Sequence, residues 1–129
     1  MPQAAEHTAA AILSEARGFL LRGWSQGAQA RDRTGSVVSA WSEEAHSWSL
    51  LGGLLASWYR QQGESLDLDF VAHGFDARAL GDATEAIGEV IGTASIESWN
   101  DDPARTLDEV ITTIDRALEP LALPLARRY

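Results

Sequence analysis

Apolar side chains recur every three or four positions over four stretches of the chain, the pattern of helices that bury one face against a shared core. In the first, Ala5, Ala9, Ile12, Leu13, Ala16, Phe19 and Leu20 share one stripe and predict a helix over residues 3–22. Gly23 is its expected terminator, because glycine takes the left-handed conformation that closes a helix. In the second, Ser42 followed by Glu43 and Glu44 reads as a capped start with acids at the positive end of the helix dipole. Trp48, Leu50, Leu51, Leu54, Leu55, Trp58 and Tyr59 then cover half its circumference as far as residue 62. Ala45, Ser49, Gly52, Gly53 and Ala56 form a strip of small residues beside them, so a neighbouring backbone can come close from a second side. That makes this helix the expected centre of the fold. Asp76 opens a third helix with Phe75, Ala79, Leu80, Ala83, Ala86, Ile87, Val90 and Ile91 as its apolar positions, ending near Gly92. A fourth starts at Thr106, whose three-residue spacing to Glu109 is a capping box, and it carries Leu107, Val110, Ile111, Ile114, Ala117 and Leu118. Pro120 should end it and leave residues 120–129 as an extended tail.

The stretches between carry no sustained period. Residues 23–41 hold glycines and serines that suit turns, and a loop of this length is expected to be functional or to contain a short hairpin. Within it Asp32-Arg33-Thr34-Gly35 reads as a type I turn, after which Val37 and Val38 can extend into a minor strand pair. Residues 64–74 form an irregular link. Residues 95–99 suit one short helical turn before the chain reverses through residues 100–103. The expected fold is therefore all-α: a single domain over residues 1–129, a compact bundle of four main helices plus a short helical turn and a long loop after helix 1.

Charge narrows the partners. The formal net charge of -9 repels phosphate backbones and anionic lipid, so neither nucleic acid nor a membrane surface is expected. All ten basic residues are arginine, as a GC-rich coding bias would give. The absence of cysteine removes disulfides, thiolate nucleophiles and cysteine-ligated metals. Glu6, Glu15 and Arg17 interrupt the N-terminal apolar runs, and no run approaches the roughly 20 residues of a membrane helix, so the expected location is the cytoplasm.

Candidate chemistry is sparse. Glu43 and His46 have the Glu-x-x-His spacing of carboxylate-bridged metal bundles, but those sites use two copies and further acids, and here there is one. Asp69 and His73 lie one helical turn apart in the irregular link. The His46 imidazole is a side chain of the kind used as a general base, yet no nucleophile elbow, phosphate loop or zinc-protease histidine pair accompanies it. The sequence therefore assigns no catalytic residue, metal ligand or cofactor. Five tryptophans are a high share for 129 residues. Trp48 and Trp58 fall on the apolar stripe of the second helix, whereas Trp24, Trp41 and Trp99 sit in loops or at helix ends, where they can pack over the bundle ends or line a binding surface.

Three motifs stand out: Gly23-Trp24-Ser25-Gln26-Gly27-Ala28-Gln29-Ala30-Arg31-Asp32, Trp48-Ser49-Leu50-Leu51-Gly52-Gly53-Leu54, and the stretch from Ile96 to Val110 that contains Trp99-Asn100-Asp101-Asp102-Pro103. Together they resemble a family of small, functionally uncharacterised proteins of actinobacteria and their phages, over roughly residues 8–118. The resemblance departs at Ser49, where cysteine is the commoner residue, and it implies no activity. Asn100 and Asp101 read as turn formers bonding to nearby backbone, and Arg105 as one half of a local ion pair. The expected binding surface joins the loop of residues 23–41 to the turn of residues 99–105, with Trp24, Gln26, Arg31, Asp32, His46, Trp99, Asn100, Asp101 and Arg105 as its contacts. The expected role is a protein-interaction or regulatory module that binds a partner protein or a second copy of itself. The alternative is a small-molecule or enzyme pocket near Trp24, His46, Trp99 and Arg105.

Overall fold

A computed structural model describes residues 8–64 and 77–126. Its elements run α1 (Ala9–Arg22), β1 (Ala30–Arg31), β2 (Ser47–Trp48), α2 (Leu50–Glu64), α3 (Arg78–Ile91), α4 (Ile96–Asn100) and α5 (Leu107–Ala126). The described residues form the expected all-α bundle: four main helices, one short helical turn, and a long connection after the first helix. The core is built from the apolar stripes, with Ile12, Leu13, Ala16 and Leu20 meeting Leu50, Leu54, Ala83, Ile87, Val110 and Ile114, all of them buried. The centre belongs to α1, which packs against α2, α3 and α5. The small strip of α2 does admit close neighbours: a Cβ at Gly52 would collide with the Gln29 carbonyl, and one at Gly53 would press on Leu20 at 3.3 Å.

Helix ends follow local chemistry, with four departures from expectation. The first is at α1, which begins at Ala9 because Thr8 is extended and its hydroxyl accepts the Ala11 N–H at 3.1 Å. The expected stretch of residues 3–7 lies outside the described residues, as do the Asp76 cap and the Asp69–His73 pair. Second, Gly23 stops α1 in an extended conformation, with φ at -178°, and not in the left-handed one. Its glycine is needed for space, since a Cβ there would strike the His46 carbonyl.

The third departure is the start of α2. Ser42 accepts the Glu44 N–H at 3.0 Å, the same hydroxyl chemistry as a helix cap, but it closes only a local turn. The chain then extends, because the backbone of residues 46–49 is claimed from both sides. On one side β2 pairs antiparallel with β1, Ala30 opposite Trp48 and Arg31 opposite Ser47. On the other, Trp48 N–H donates to Gly23 at 3.0 Å and Ser25 N–H to Trp48 at 2.9 Å. Only at Ser49 is the chain released into helix, its hydroxyl capping Gly52 N–H at 2.9 Å. Glu43 and His46 are thus not on a helix, and their one-turn spacing has no geometric consequence.

The fourth is the expected extended tail from residue 120. Helix α5 continues through Pro120 and Pro124 to Ala126. A proline removes a hydrogen bond to the carbonyl four residues back, costing about 3 kcal/mol in a helix interior. Here the first carbonyl freed belongs to exposed Arg116, where water can serve it. At the other end of α5 the capping box forms as expected: Glu109 N–H donates to Thr106 Oγ1 at 3.2 Å, and Thr106 N–H to Glu109 Oε1 at 3.0 Å. Helix α3 ends where expected, at Gly92, which closes it in the left-handed conformation with φ at 79°.

The long connection holds the expected small hairpin. Gly35 N–H donates to Asp32 at 3.0 Å across the turn, Val38 N–H donates to Ala30 at 3.1 Å, and Arg31 bridges Val37. Asp32 organises its tip, its Oδ1 accepting Thr34 N–H, Thr34 Oγ1 and Ser36 N–H.

Candidate functional site

The loop after α1 and the turn around α4 are brought together, as the sequence suggested, and one side chain joins them. Asn100, the last residue of α4, is fully buried. Its Oδ1 accepts Trp24 Nε1 at 2.7 Å and Leu50 N–H at 3.1 Å, and its Nδ2 donates to the Ser25 carbonyl at 3.2 Å and to Asp101 Oδ1 at 3.0 Å. Around it, Gln26 Nε2 donates to the carbonyls of Asn100 and Asp102, and Gly27 N–H donates to Asp101 Oδ1. Trp24, Gln26, Asn100 and Asp101 therefore form a latch across more than 70 residues of sequence, and most of its polar groups are already spent on one another. Asn100 also serves α2 directly, because the Leu50 N–H it takes is one of the orphan donors at that helix's start.

The two arginines expected at the surface are tied down as well. Arg31 donates to the Gly35 carbonyl at 3.0 Å and to the Gln26 carbonyl at 3.2 Å, bracing the hairpin against the latch. Arg105 lays its guanidinium over the Trp99 ring, 3.8 Å from the centroid, and donates to the Trp99 carbonyl at 2.9 Å. It also pairs with Glu109 at 3.5 Å and Asp102 at 3.8 Å. Trp99 and Arg105 line an open cleft of about 420 Å³ with Val90, Ile91, Thr112 and Arg116. His46 lies on a separate cleft of about 310 Å³, with Asp32, Glu43, Glu44, Arg22 and Arg33. The four residues of the alternative pocket are divided in this way: Trp24 on Asn100, Trp99 and Arg105 on one cleft, His46 on the other.

Among the described residues, two carboxyls have shifted titrations. The Thr34 hydroxyl and the backbone N–H groups of the hairpin tip hold Asp32 below the usual carboxylate range. Burial raises Glu97 above it; the Ser49 hydroxyl draws it back, and the neighbouring Asp101 charge adds to the rise. One Glu97 oxygen, Oε1, is buried with no hydrogen-bond partner. Among the described residues no group of three or more histidines and acids is placed to hold a metal ion, and no helix is long and apolar enough to cross a membrane.

A different residue is left open. Trp41 is 48% exposed at the rim of the long loop, its ring stacked on Tyr59 of α2 with centroids 5.4 Å apart and planes at 27°. The turn that carries it is fixed by Ser42 N–H donating to Ser39 at 3.0 Å and Ala45 N–H to Ser42 at 3.1 Å. Glu43 and Glu44 are exposed on the same turn. The sequence pointed to Trp41 only as one of three loop tryptophans, and gave no sign that Tyr59 would back it, because periodicity placed Tyr59 on the core side of its helix.

The chain belongs to a family of unknown function (DUF6197), which matches residues 4–119. No curated protein and no solved structure matches it.

Proposed function

We propose that this protein is a small acidic cytoplasmic module that acts by binding a partner protein, with Trp41 as the anchor of the docking surface. One observation carries the reading: a large aromatic side chain stands 48% exposed on a turn fixed by backbone hydrogen bonds, its ring already oriented by Tyr59. Tryptophan is prominent among binding hot spots because it combines a large apolar area with few rotamers to freeze. The latch supports the same reading from the other side. Trp24, Gln26, Asn100 and Asp101 spend their hydrogen bonds on the fold and hold the loop that presents Trp41, in place of converging on a substrate. The actinobacterial and phage setting is part of this proposal, and gene neighbourhood tests it.

The direct test is affinity capture from the source organism with wild-type protein and with Trp41→Ala. A partner retained by the first and lost by the second, at equal melting temperature, is the expected result. Equal retention by both removes Trp41 as the anchor.

A further inference from the structure

The proposed docking surface has a chemical character beyond being aromatic. Trp41 offers a ring face, whose π-cloud attracts cations within about 6 Å of the centroid. Glu43 and Glu44, two and three residues further on, are exposed, and neither closes an ion pair with any described residue. The nearby bases differ in how they are engaged. Arg22 is held over the rings of Phe19 and Trp48 at 5.5 and 5.6 Å, and Arg31 is spent on carbonyls of its own loop. Arg33 shares one cleft with Asp32, Glu43 and Glu44, so carboxylates outnumber guanidinium groups there even when Arg22 is included. Asp32 contributes a fixed negative charge, since the hairpin tip keeps it ionised. The whole chain adds a net charge of -9, which draws cationic partners from a distance.

Resting on the reading of Trp41 as the anchor, we propose that this surface takes a lysine- or arginine-bearing segment of the partner protein. A cationic side chain stacks on the Trp41 ring and the carboxylates of Glu43 and Glu44 pair with its charge. Tyr59 contributes by holding the indole in place. Trp41, Glu43 and Glu44 stand within four residues of one another on one exposed turn, close enough along the chain for a single extended basic segment to use both the ring and the carboxylates.

The test uses the full chain, a short labelled peptide of lysine and arginine with glycine spacers, and a second peptide with glutamine at every cationic position. Wild-type protein should bind the first and not the second. Trp41→Ala should weaken binding about tenfold, between the worth of an exposed and of a desolvated cation–π contact. Glu43→Gln with Glu44→Gln should weaken it several-fold and flatten its dependence on salt. Trp41→Phe, which keeps a ring, should fall between wild type and Trp41→Ala, and serves if the alanine variant is poorly folded. Three results with the purified protein overturn the inference. Undiminished binding by both Trp41 variants would mean that only the diffuse negative charge attracts the peptide. Equal binding of the glutamine peptide would mean apolar docking without charge recognition. A concentration-dependent dimer abolished by Trp41→Ala would make a second copy the occupant. The anchor reading fails separately, when neither Trp41 variant alters capture of the natural partner, whereas capture that depends on Trp41 but not on Glu43 and Glu44 sinks only the cationic partner.

Discussion

The latch at residues 24–27 and 99–102 and the turn at residues 39–46 are both irregular, both carry tryptophan and acids, and they use them in opposite ways. In the latch the indole N–H of Trp24 finds a buried amide, and the Asp101 carboxylate takes one backbone and one side-chain N–H. In the turn the Trp41 ring faces solvent and Glu43 and Glu44 pair with nothing described. Residue type alone therefore does not mark a binding surface. What separates the structural Trp24 from the proposed docking residue Trp41 is whether the polar neighbours have been used up by the fold.

Breaking the latch should have the largest effect. Asn100→Ala leaves Trp24 Nε1 and Leu50 N–H without partners in the interior, and should destabilise the protein by roughly 3–4 kcal/mol, since each buried orphan costs about 1–3 kcal/mol. Denaturant melts check this, and a loss below about 1 kcal/mol would mean that the latch closes over the bundle without supporting it. Gly52→Ala attacks the same loop from α2, where the new Cβ meets the Gln29 carbonyl. Overpacking against backbone should cost about 2–3 kcal/mol, more than the same change at exposed Gly18, which has open space around it. A Gly52→Ala protein as stable as wild type would show that the loop can move off the helix.

Smaller effects sharpen the contrast. Thr106→Ala removes the capping hydroxyl of α5 and should cost about 1 kcal/mol in the same melts, placing a local cap well below the long-range latch. Glu97→Gln should change how stability depends on pH. Because the folded protein holds this carboxyl above its ordinary value, ionising it is harder in the fold than in the unfolded chain. The stability tied to Glu97 is fully present below the unfolded value and is lost as pH rises through the raised folded one. Melts across that window should show the variant losing less stability than wild type with rising pH, and parallel curves would place Glu97 in contact with water. Trp41→Ala should be the mildest, under about 1 kcal/mol, because only one exposed stacking contact is lost. A larger loss would make Trp41 part of the latch's class and end its claim as a docking residue.

Much of the bundle was legible in the amino-acid order. The stripes of α1, α3 and α5, the Thr106–Glu109 box and the Gly92 cap are local features, set by periodicity and by groups three or four residues apart. The small strip at Gly52 and Gly53 announced a close neighbour, though not that Gln29 supplies it. The start of α2 was misread for a physical reason. Ser42 and Ser49 can cap equally well, and the choice was made by Gly23, Arg31 and the strand pair, which hold residues 46–48 extended. The end of α5 was misread because the cost of a proline depends on whether the freed carbonyl can reach water.

By itself, then, the sequence determined where chains of short-range interactions make helices, and which faces of them must be buried. Only the tertiary structure decided what each polar and aromatic residue is for. Asn100 looked like a turn former and became the cap of a helix that begins 50 residues earlier. Trp24 and Trp41 looked alike, and one was consumed by the fold while the other was left to solvent. The reason is that a hydrogen bond between distant residues has no periodicity: its partners are chosen by how the helices pack, and a linear pattern carries only the interactions that the chain makes with its near neighbours.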